Sequence, residues 1–552
     1  MKKIFGSTTG LSAHQIKALE NLYLFNTTPE DLISRDQLDA LIAVSTDIRR
    51  QVGVLIARNG KTVHVIAGEP HRIVIPDTPD FRTLPGRLKG LRCIHTHLNE
   101  TDLTRDDLTD LALLRLDFMA AVSIFTPKGI GKTDQNRTPP ITIYSSHILP
   151  GDGDEPCAPM APLSKDDLNI GCLERILAIE DELARQDASY TVETGEEKAL
   201  LINIFTDQVK DAVASLDELK ELCRSSNIKV LDTALQRRKK IDPKFVVGRG
   251  KLADLVIRAL QKHATMLVFD RELNPSQIRS ITDFVEMKVI DRTQLILDIF
   301  ARRAKSREGK LQVELAQMKY LLPRLATKNT AMSRLTGGIG GRGPGETKLE
   351  INRRRVRDRI TRLSKDISKI RKQRSQQRSQ RNRRGIPVIS IVGYTNAGKS
   401  TLLNTLTKSE IIAENRLFAT LDPSSRRLRF PKDLEVIITD TVGFIQDLPE
   451  ELMEAFHATL EELEDADILL HVVDISNPRY EQQMGSVERI LKELGLEKTP
   501  VLYVFNKQDK IALADFDNPW LLNQGSLVSA TRPETLKPLV SRLESMIRQQ
   551  TG

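Results

Sequence analysis

Gly393-Tyr394-Thr395-Asn396-Ala397-Gly398-Lys399-Ser400 decides the fold, together with the apolar run Ile386-Pro387-Val388-Ile389-Ser390-Ile391-Val392 before it and Thr401-Leu402-Leu403-Asn404-Thr405-Leu406 after it. A G-x-x-x-x-G-K-S stretch between a buried strand and a helix is a phosphate-binding loop, because its backbone N–H groups and the helix N-terminus converge on one anion. The bland alternative is a glycine-rich turn that closes a strand, and the flanking strand and helix argue against it. Lys399 is expected to reach the β- and γ-phosphates, and the Ser400 hydroxyl to ligate Mg²⁺.

Downstream, the strand Leu434-Glu435-Val436-Ile437-Ile438-Thr439-Asp440 ends in Asp440-Thr441-Val442-Gly443. Asp440 is positioned to hold the metal, and the Gly443 N–H to sense the γ-phosphate. Thr420, in the long connection from Glu410 to Pro431, is the candidate hydroxyl that ties a switch loop to Mg²⁺, with Ser424 and Ser425 as alternatives. Further strands at 468–474 and 501–505 lead to Asn506-Lys507-Gln508-Asp509. A carboxylate at Asp509 accepts from both guanine N1–H and the exocyclic amine, which adenine cannot supply, so the base is expected to be guanine. The Lys507 stem packs on the base plane, Asn506 braces the loop, and Ser529 and Ala530 supply backbone donors near the guanine oxygen. The order of these motifs at strand ends predicts a GTPase. Phe444 follows the Asp-x-x-Gly turn where many GTPases carry a Gln that orients the attacking water. A phenyl ring neither donates nor accepts that hydrogen bond, which predicts slow intrinsic hydrolysis that rises when a partner surface completes the site. A phenyl group that simply packs under the switch would be equally slow.

At 552 residues the chain is long enough for about three or four domains. The formal net charge of +8 is mild, so nucleic-acid binding must rest on where positive charge concentrates. It concentrates in Lys348 to Arg384, where Ile351, Val356, Ile360, Leu363, Ile367 and Ile370 form a narrow apolar stripe suited to one partner helix. Leu295 to Leu325 is an amphipathic helical stretch, and the glycine tract Thr336 to Gly345 lies between the two. The expectation is an antiparallel helical hairpin with the tract near its tip. Its candidate RNA contacts are Arg342, Arg353, Arg354, Arg355, Arg357, Arg359 and Arg362. Stacking aromatics are absent, which favours recognition of folded RNA by shape and charge over reading of single strands.

Residues 199–291 alternate strand and helix and predict a small α/β domain with a largely parallel sheet. Near the start, Gly53 to Ala57 and Thr62 to Ala67 flank Asn59-Gly60, a hairpin signal. The next strand ends in His95-Thr96-His97, whose i, i+2 spacing points both imidazoles one way, with Asp107 at the following helix start as a third possible metal ligand. This arrangement resembles the JAMM-type zinc peptidases. The match is partial: the spacing is one residue short, Thr104 stands where that family has Ser, and Gln51 where it keeps its general-base Glu. An active peptidase, a metal-binding relic and purely structural histidines are the three alternatives. Cys93, Cys157, Cys172 and Cys223 are scattered, giving neither a zinc knuckle nor a disulfide framework. The start lacks a signal-peptide core, and no apolar run approaches the about 20 residues of a membrane span. A soluble, cytoplasmic protein is expected.

The glycine tract Thr336 to Thr347, the loop Gly393 to Ser400, Phe418-Ala419-Thr420-Leu421-Asp422, Asp440 to Ile445 and Asn506 to Asp509 resemble the HflX family of GTPases over roughly Glu193 to Gly552. The resemblance implies GTP contacts from Gly393 through Thr401, Phe418, Ala419, Thr420, Asp440, Thr441, Val442, Gly443, Asn506, Lys507, Asp509, Ser529 and Ala530. Catalysis would involve Lys399, Thr420 and Gly443, and Mg²⁺ would sit on Ser400, Thr420 and Asp440. It also implies binding to the large ribosomal subunit and its RNA, and separation of stalled or idle ribosomes under stress; a monomer is expected. The alternative is a GTP-switched RNA-binding or ribosome-assembly module without splitting activity; a third reading is a metal-dependent hydrolase at the N-terminus regulated by the GTPase. The fold expected is α/β and multidomain: an α+β extension over 1–185, an α/β domain over 186–294, the basic hairpin over 295–384 and a P-loop GTPase domain over 385–552.

Overall fold

The computed structural model describes residues 3–76, 78, 81, 87–100, 102–124, 141–150, 157–191, 197–206, 208–285, 287–325, 348–382, 386–407, 418, 424–430, 434–441, 443–445, 453, 463–464, 466–511 and 524–551. The chain divides into two compact units: Met1–Leu200 with Phe245–Met266 and Val285–Met287, and Leu201–Lys244 with Leu267–Phe284 and Lys288–Gly552.

The first unit is built on seven strands: β1 (Ile4–Gly6), β2 (Val52–Ala57), β3 (Thr62–Ala67), β4 (Leu91–His97), β5 (Phe118–Ser123), β6 (Thr142–Ile148) and β7 (Cys157–Pro159). They form one mixed sheet in the order β1-β3-β2-β4-β5-β6-β7. The β2–β3 pair is antiparallel, with Gly60 at φ 83° in its turn, whereas β4 and β5 run parallel. Period-two alternation sends Val52, Val54, Ile56, Ile94, Ala120 and Val122 to one core with the helices Arg35–Ile48 and Cys172–Thr191. Leu55, Leu91, Cys93 and Met119 face the opposite core, with Leu111 and Ala112 of the helix Arg105–Leu113. The helix Cys172–Thr191 starts after Gly171 in a left-handed turn (φ 63°) and runs across the expected boundary at 185.

Four strands, β8 (Glu197–Phe205), β9 (Ile228–Arg237), β10 (Met266–Phe269) and β11 (Lys288–Asp291), form a sheet in the order β11-β10-β8-β9, most of it in the second unit. The single amphipathic stretch expected over 295–325 is two helices, Arg292–Arg303 and Arg307–Leu325. Ala304 turns extended (ψ 112°) and Ser306 Oγ accepts from Gly309 N at 2.9 Å, which starts the second helix afresh. Lys348–Asn382 is one long helix packed on Arg307–Leu325, with Leu363 buried and Ile351, Val356, Ile360, Ile367 and Ile370 half-buried along the stripe. The glycine tract and Arg342 lie outside the described residues.

The remaining strands are β12 (Val388–Gly393), β13 (Ser424–Phe430), β14 (Leu434–Asp440), β15 (Ile468–Asp474), β16 (Val501–Asn506) and β17 (Gly525–Leu527). Their sheet has the order β13-β14-β12-β15-β16-β17, parallel throughout except for the antiparallel edge β13. All six residues of β12 are buried, as a central parallel strand covered on both faces requires.

One ion-pair network anchors the first unit. Arg58 bridges Asp117 (2.8 Å) and Glu180 (2.7 Å), both almost fully buried, and Arg87 adds a second contact to Glu180 at 2.6 Å. Burial alone would raise the Glu180 carboxyl, but hydrogen bonds from Arg58, Arg87 and the Leu88 N–H hold it at about 2. Arg58→Met strands two buried carboxylates. Because Arg58 is itself partly exposed, the expected destabilisation of this unit is about 2–4 kcal/mol. Glu180 contributes its stabilisation above its unfolded pKa of 4.5 and loses it as pH falls toward about 2. Denaturant unfolding should therefore show a larger loss for the variant at pH 7 than at pH 3.

Candidate functional site

β12 delivers the loop Gly393 to Ser400 at the C-terminal end of the sheet, where open α/β sheets bind ligands. Two glycines are obligatory there. A Cβ at Gly393 would lie 2.3 Å from Val472 O, and one at Gly398 (φ 95°) would lie 2.3 Å from Asn506 Nδ2. Asn396 adopts the left-handed conformation at φ 62°. Tyr394 forms an isolated parallel bridge with Phe444: Thr395 N donates to Phe444 O at 2.7 Å, and Phe444 N to Gly393 O at 3.2 Å. The phosphate loop and the turn after Asp440 are thus hydrogen-bonded to each other.

Lys399 opens the helix Lys399–Thr407 and is buried, its ammonium donating to Gly393 O (3.1 Å) and Tyr394 O (2.9 Å). Burial pushes its pKa down to about 8, against the opposing field of Asp440. Ser400 Oγ donates to Asp440 Oδ2 at 2.6 Å, and Thr441 Oγ1 donates to Ile391 O at 2.6 Å. A Cβ on Gly443 would lie 2.9 Å from Lys399 Nζ, so the Gly443 backbone lies against the lysine head. Phe418, left-handed at φ 57°, is buried with its ring 4.5 Å from that of Phe300. Thr401 follows Ser400 in the first turn of the helix. Ala419, Thr420 and Val442 lie outside the described residues. The backbones of Ser424 and Ser425 stand in β13 opposite Asp440 and Thr439.

The base side is tied to the loop by one side chain. Asn506 Nδ2 donates to Ala397 O at 2.8 Å and its Oδ1 accepts from Ala530 N at 2.9 Å. Lys507, left-handed at φ 67°, donates to Asn396 O (2.8 Å) and pairs with Asp474 (2.6 Å). Asp509 sits in the short 3₁₀ turn Gln508–Lys510, where a hydrogen bond from the Ser529 side chain lowers its pKa. Gln508 N reaches Val528 O at 3.2 Å, which brings the 506–509 and 528–530 segments together. Sequence reasoning missed Asp474 and Glu218. Asp474 ends β15 beside the loop, a position where ligand-binding residues gather, and that was the available signal. Glu218 had none: it accepts from Tyr394 OH at 2.9 Å and pairs with buried Arg292 at 2.8 Å, which in turn reaches Asp270 at 3.0 Å.

On the long helix, Arg354, Arg355, Arg357 and Arg362 are exposed, and Arg353 is half-buried. Arg359 is engaged within the protein, its guanidinium bidentate to Glu314 at 2.7 and 2.8 Å. At the other end of the chain, His95, His97 and Asp107 converge with all ligand atoms within 4.8 Å.

A phosphate loop with its lysine and serine, an Asp-x-x-Gly turn and an Asn-Lys-x-Asp base reader on successive strands of one parallel sheet define a P-loop GTPase. Comparison with known proteins agrees. Residues 213–301 match a family model described as GTP-binding GTPase N-terminal, 303–381 one described as GTP-binding GTPase Middle Region, and 388–507 one described as 50S ribosome-binding GTPase. GTPase HflX of Lacrimispora saccharolytica is 45% identical over 64% of this chain and 84% of its own length. GTPase HflX of Escherichia coli is 41% identical over 64% of this chain and 85% of its own length. A crystallised GTP-binding protein from the archaeon Sulfolobus solfataricus, in complex with GDP, is 25% identical, covering 64% of this chain and 99% of that one at a TM-score of 0.36. The chain belongs to the HflX family of GTPases, and GTP is its substrate. No described helix is long and apolar enough to cross a membrane.

Lys399→Ala removes the buried ammonium that donates to Gly393 O and Tyr394 O in the loop, and is expected to weaken GTP binding by about 1.5–3 kcal/mol, or 10- to 150-fold, in a fluorescent-nucleotide titration. Asp509→Asn exchanges an acceptor pair for a carboxamide that can also donate. Preference for GTP over xanthosine triphosphate, whose 2-oxo group accepts, should shrink in competition experiments. Retention of strict guanine preference would remove Asp509 from base recognition.

Proposed function

We propose that this GTPase binds the large ribosomal subunit through its arginine-rich helix and separates or rescues stalled and idle ribosomes under stress, with the GTP state setting binding and release. The observation that carries this reading is the match of residues 388–507 to a 50S ribosome-binding GTPase model, next to a helix whose exposed residues include Arg354, Arg355, Arg357 and Arg362. A one-signed guanidinium array binds RNA phosphates with strong salt dependence. The protein acts as a cytoplasmic monomer, and its four buried free thiols suit a reducing compartment.

In the reaction, Lys399 neutralises charge on the β- and γ-phosphates, and the Gly443 N–H orients the γ-phosphate. Thr420 is the candidate hydroxyl for tying the switch loop to Mg²⁺. Ser400 and Asp440 bring a hydroxyl and a carboxylate within 2.6 Å, a hard-oxygen pair that suits Mg²⁺. When bound, Mg²⁺ would neutralise developing phosphate charge. Asp509 selects guanine, while Asn506 and Lys507 hold the base reader on the loop. The Phe444 ring is buried and has no hydrogen-bonding group, so the attacking water is oriented by a surface that ribosome binding supplies.

Sedimentation of intact ribosomes with the chain and a non-hydrolysable GTP analogue tests the reading. Release of free subunits is expected with the analogue and not with GDP. Binding without release would overturn splitting in favour of an assembly module. Changing Arg354, Arg355, Arg357 and Arg362 together to Gln should weaken ribosome binding and reduce the slope of log affinity against log salt by about 3. An unchanged slope would remove this helix from the RNA contact.

A further inference from the structure

The phosphate loop is held in a conformation that free chains rarely adopt: Gly393, Asn396 and Gly398 stand at φ 149°, 62° and 95°. Backbone of that kind persists only where its surroundings over-determine it. Asn506, Lys507 and the Phe444 bridge tie the loop from within the nucleotide domain. A further tie comes from outside that domain. Tyr394 is buried, and its hydroxyl donates to the Glu218 carboxylate, 3.1 Å from Oε1 and 2.9 Å from Oε2, across 176 residues of sequence. Glu218 stands on the helix Val209–Ser225, in the region that matches the GTP-binding GTPase N-terminal model, and both residues belong to the second compact unit.

Glu218 is itself fixed. Arg292 donates to Glu218 Oε1 at 2.8 Å and to Asp270 Oδ1 at 3.0 Å, and Asp270 Oδ2 accepts from Ser215 Oγ at 2.6 Å. The side chains of Glu218, Arg292 and Asp270 are 8%, 8% and 2% exposed, so a Glu218 carboxylate that swung away would leave a buried guanidinium short of a partner. One turn earlier on the same helix face, Ala214 O accepts from Arg479 Nη2 at 3.0 Å, a second point at which this helix is fastened to the nucleotide domain. Tyr394 in turn supports the site. Its carbonyl accepts from Lys399 Nζ at 2.9 Å, and its backbone forms the bridge with Phe444. A fixed hydroxyl therefore fixes the residue that both the phosphate lysine and the Asp-x-x-Gly turn rest on.

We propose that Glu218 is a positioning residue for the nucleotide site: through the Tyr394 hydroxyl it holds the phosphate loop in its binding conformation before GTP arrives. The proposal rests on the loop binding the GTP phosphates and not on the ribosome reading. A pre-ordered loop binds with its full intrinsic affinity, whereas a loop that visits other conformers binds more weakly in proportion to the time it spends away. Once GTP is seated, its phosphates engage the loop N–H groups and restore the geometry themselves. The deficit from cutting the tie therefore falls on affinity more than on the rate at saturation. A contact that only packed the helix Val209–Ser225 against the loop would cost stability when cut and leave the GTP affinity of the folded protein as it was.

The test is a fluorescent-GTP titration of the full-length chain, paired with single-turnover hydrolysis at saturating GTP. Tyr394→Phe removes one oxygen atom, keeps the ring and leaves Glu218 paired with Arg292, so it reads the tie without disturbing the buried charges. It should weaken GTP binding by about 5- to 10-fold, with most of the loss in affinity and little in the saturated rate. Glu218→Gln, which keeps an acceptor for the hydroxyl, should lose less affinity than Glu218→Ala, and Tyr394→Phe should add nothing in the Glu218→Ala background. Unchanged affinity in Tyr394→Phe, or losses that simply add in the double variant, would overturn the role of Glu218. Lys399→Ala in the same titration separates the two assignments. If it binds GTP like the wild type, the loop is misassigned and the proposal falls with it; if it loses affinity while Tyr394→Phe does not, the loop stands and only the role of Glu218 falls.

Discussion

The nucleotide site depends on one close approach: Asn506 Nδ2 occupies the space that any side chain on Gly398 would need, 2.3 Å from an ideal Cβ. That contact lets the carboxamide donate to Ala397 O in the phosphate loop while accepting from Ala530 N in the base-reading segment. A single buried amide therefore holds the phosphate half and the base half of the site at a set distance. The net worth of such a pair of hydrogen bonds is about 1–3 kcal/mol, but leaving either partner buried and unpaired costs about as much again. Lys507 repeats the tie from the next residue, through Asn396 O and Asp474. Both contacts require β12, β15 and β16 to lie side by side in parallel, which is what their buried, β-branched sequences enforce.

From this anchored loop a second set of contacts leads away from the nucleotide. The Tyr394 hydroxyl donates to Glu218, whose carboxylate is shared with Arg292, and Arg292 also binds Asp270. The Arg292 and Asp270 side chains are buried, so removing either one leaves an uncompensated buried charge. Phe418 packs on Phe300 of the helix that begins at Arg292. Of two residues for which the family resemblance implies nucleotide contact, Tyr394 thus reaches Arg292 through Glu218, and Phe418 packs directly on the helix Arg292–Arg303.

The parts of the fold that sequence made legible are those in which local pattern and burial agree. The phosphate loop, the strands before Asp440 and Asn506 and the Asn59-Gly60 hairpin all combine an apolar run with a turn signal. The edge strand β13 was hidden because Ser424 to Phe430 contains three arginines and reads as loop. Its pairing with β14 is a tertiary matter. The break at Ala304 was hidden because nothing in the residues around it disfavours helix, and only the Ser306 cap marks it. Among candidate RNA contacts, Arg359 looked equivalent to its neighbours until Glu314, 45 residues away in sequence, stood opposite it. Glu218 was illegible for the same reason: its role comes from partners that only folding brings near. The histidine pair was the opposite case, because i, i+2 spacing on a strand states its own geometry, and the structure adds Asp107 at 3.2 Å from His95 Nε2.

What remains is whether the buried Phe444 ring leaves the site short of a water-positioning group that the ribosome provides. The most direct measurement is single-turnover GTP hydrolysis by the purified chain, alone and with saturating large ribosomal subunits. Slow hydrolysis alone, rising by about 100-fold or more with subunits, is the expected result. Rapid hydrolysis by the isolated chain, unchanged by subunits, would contradict it.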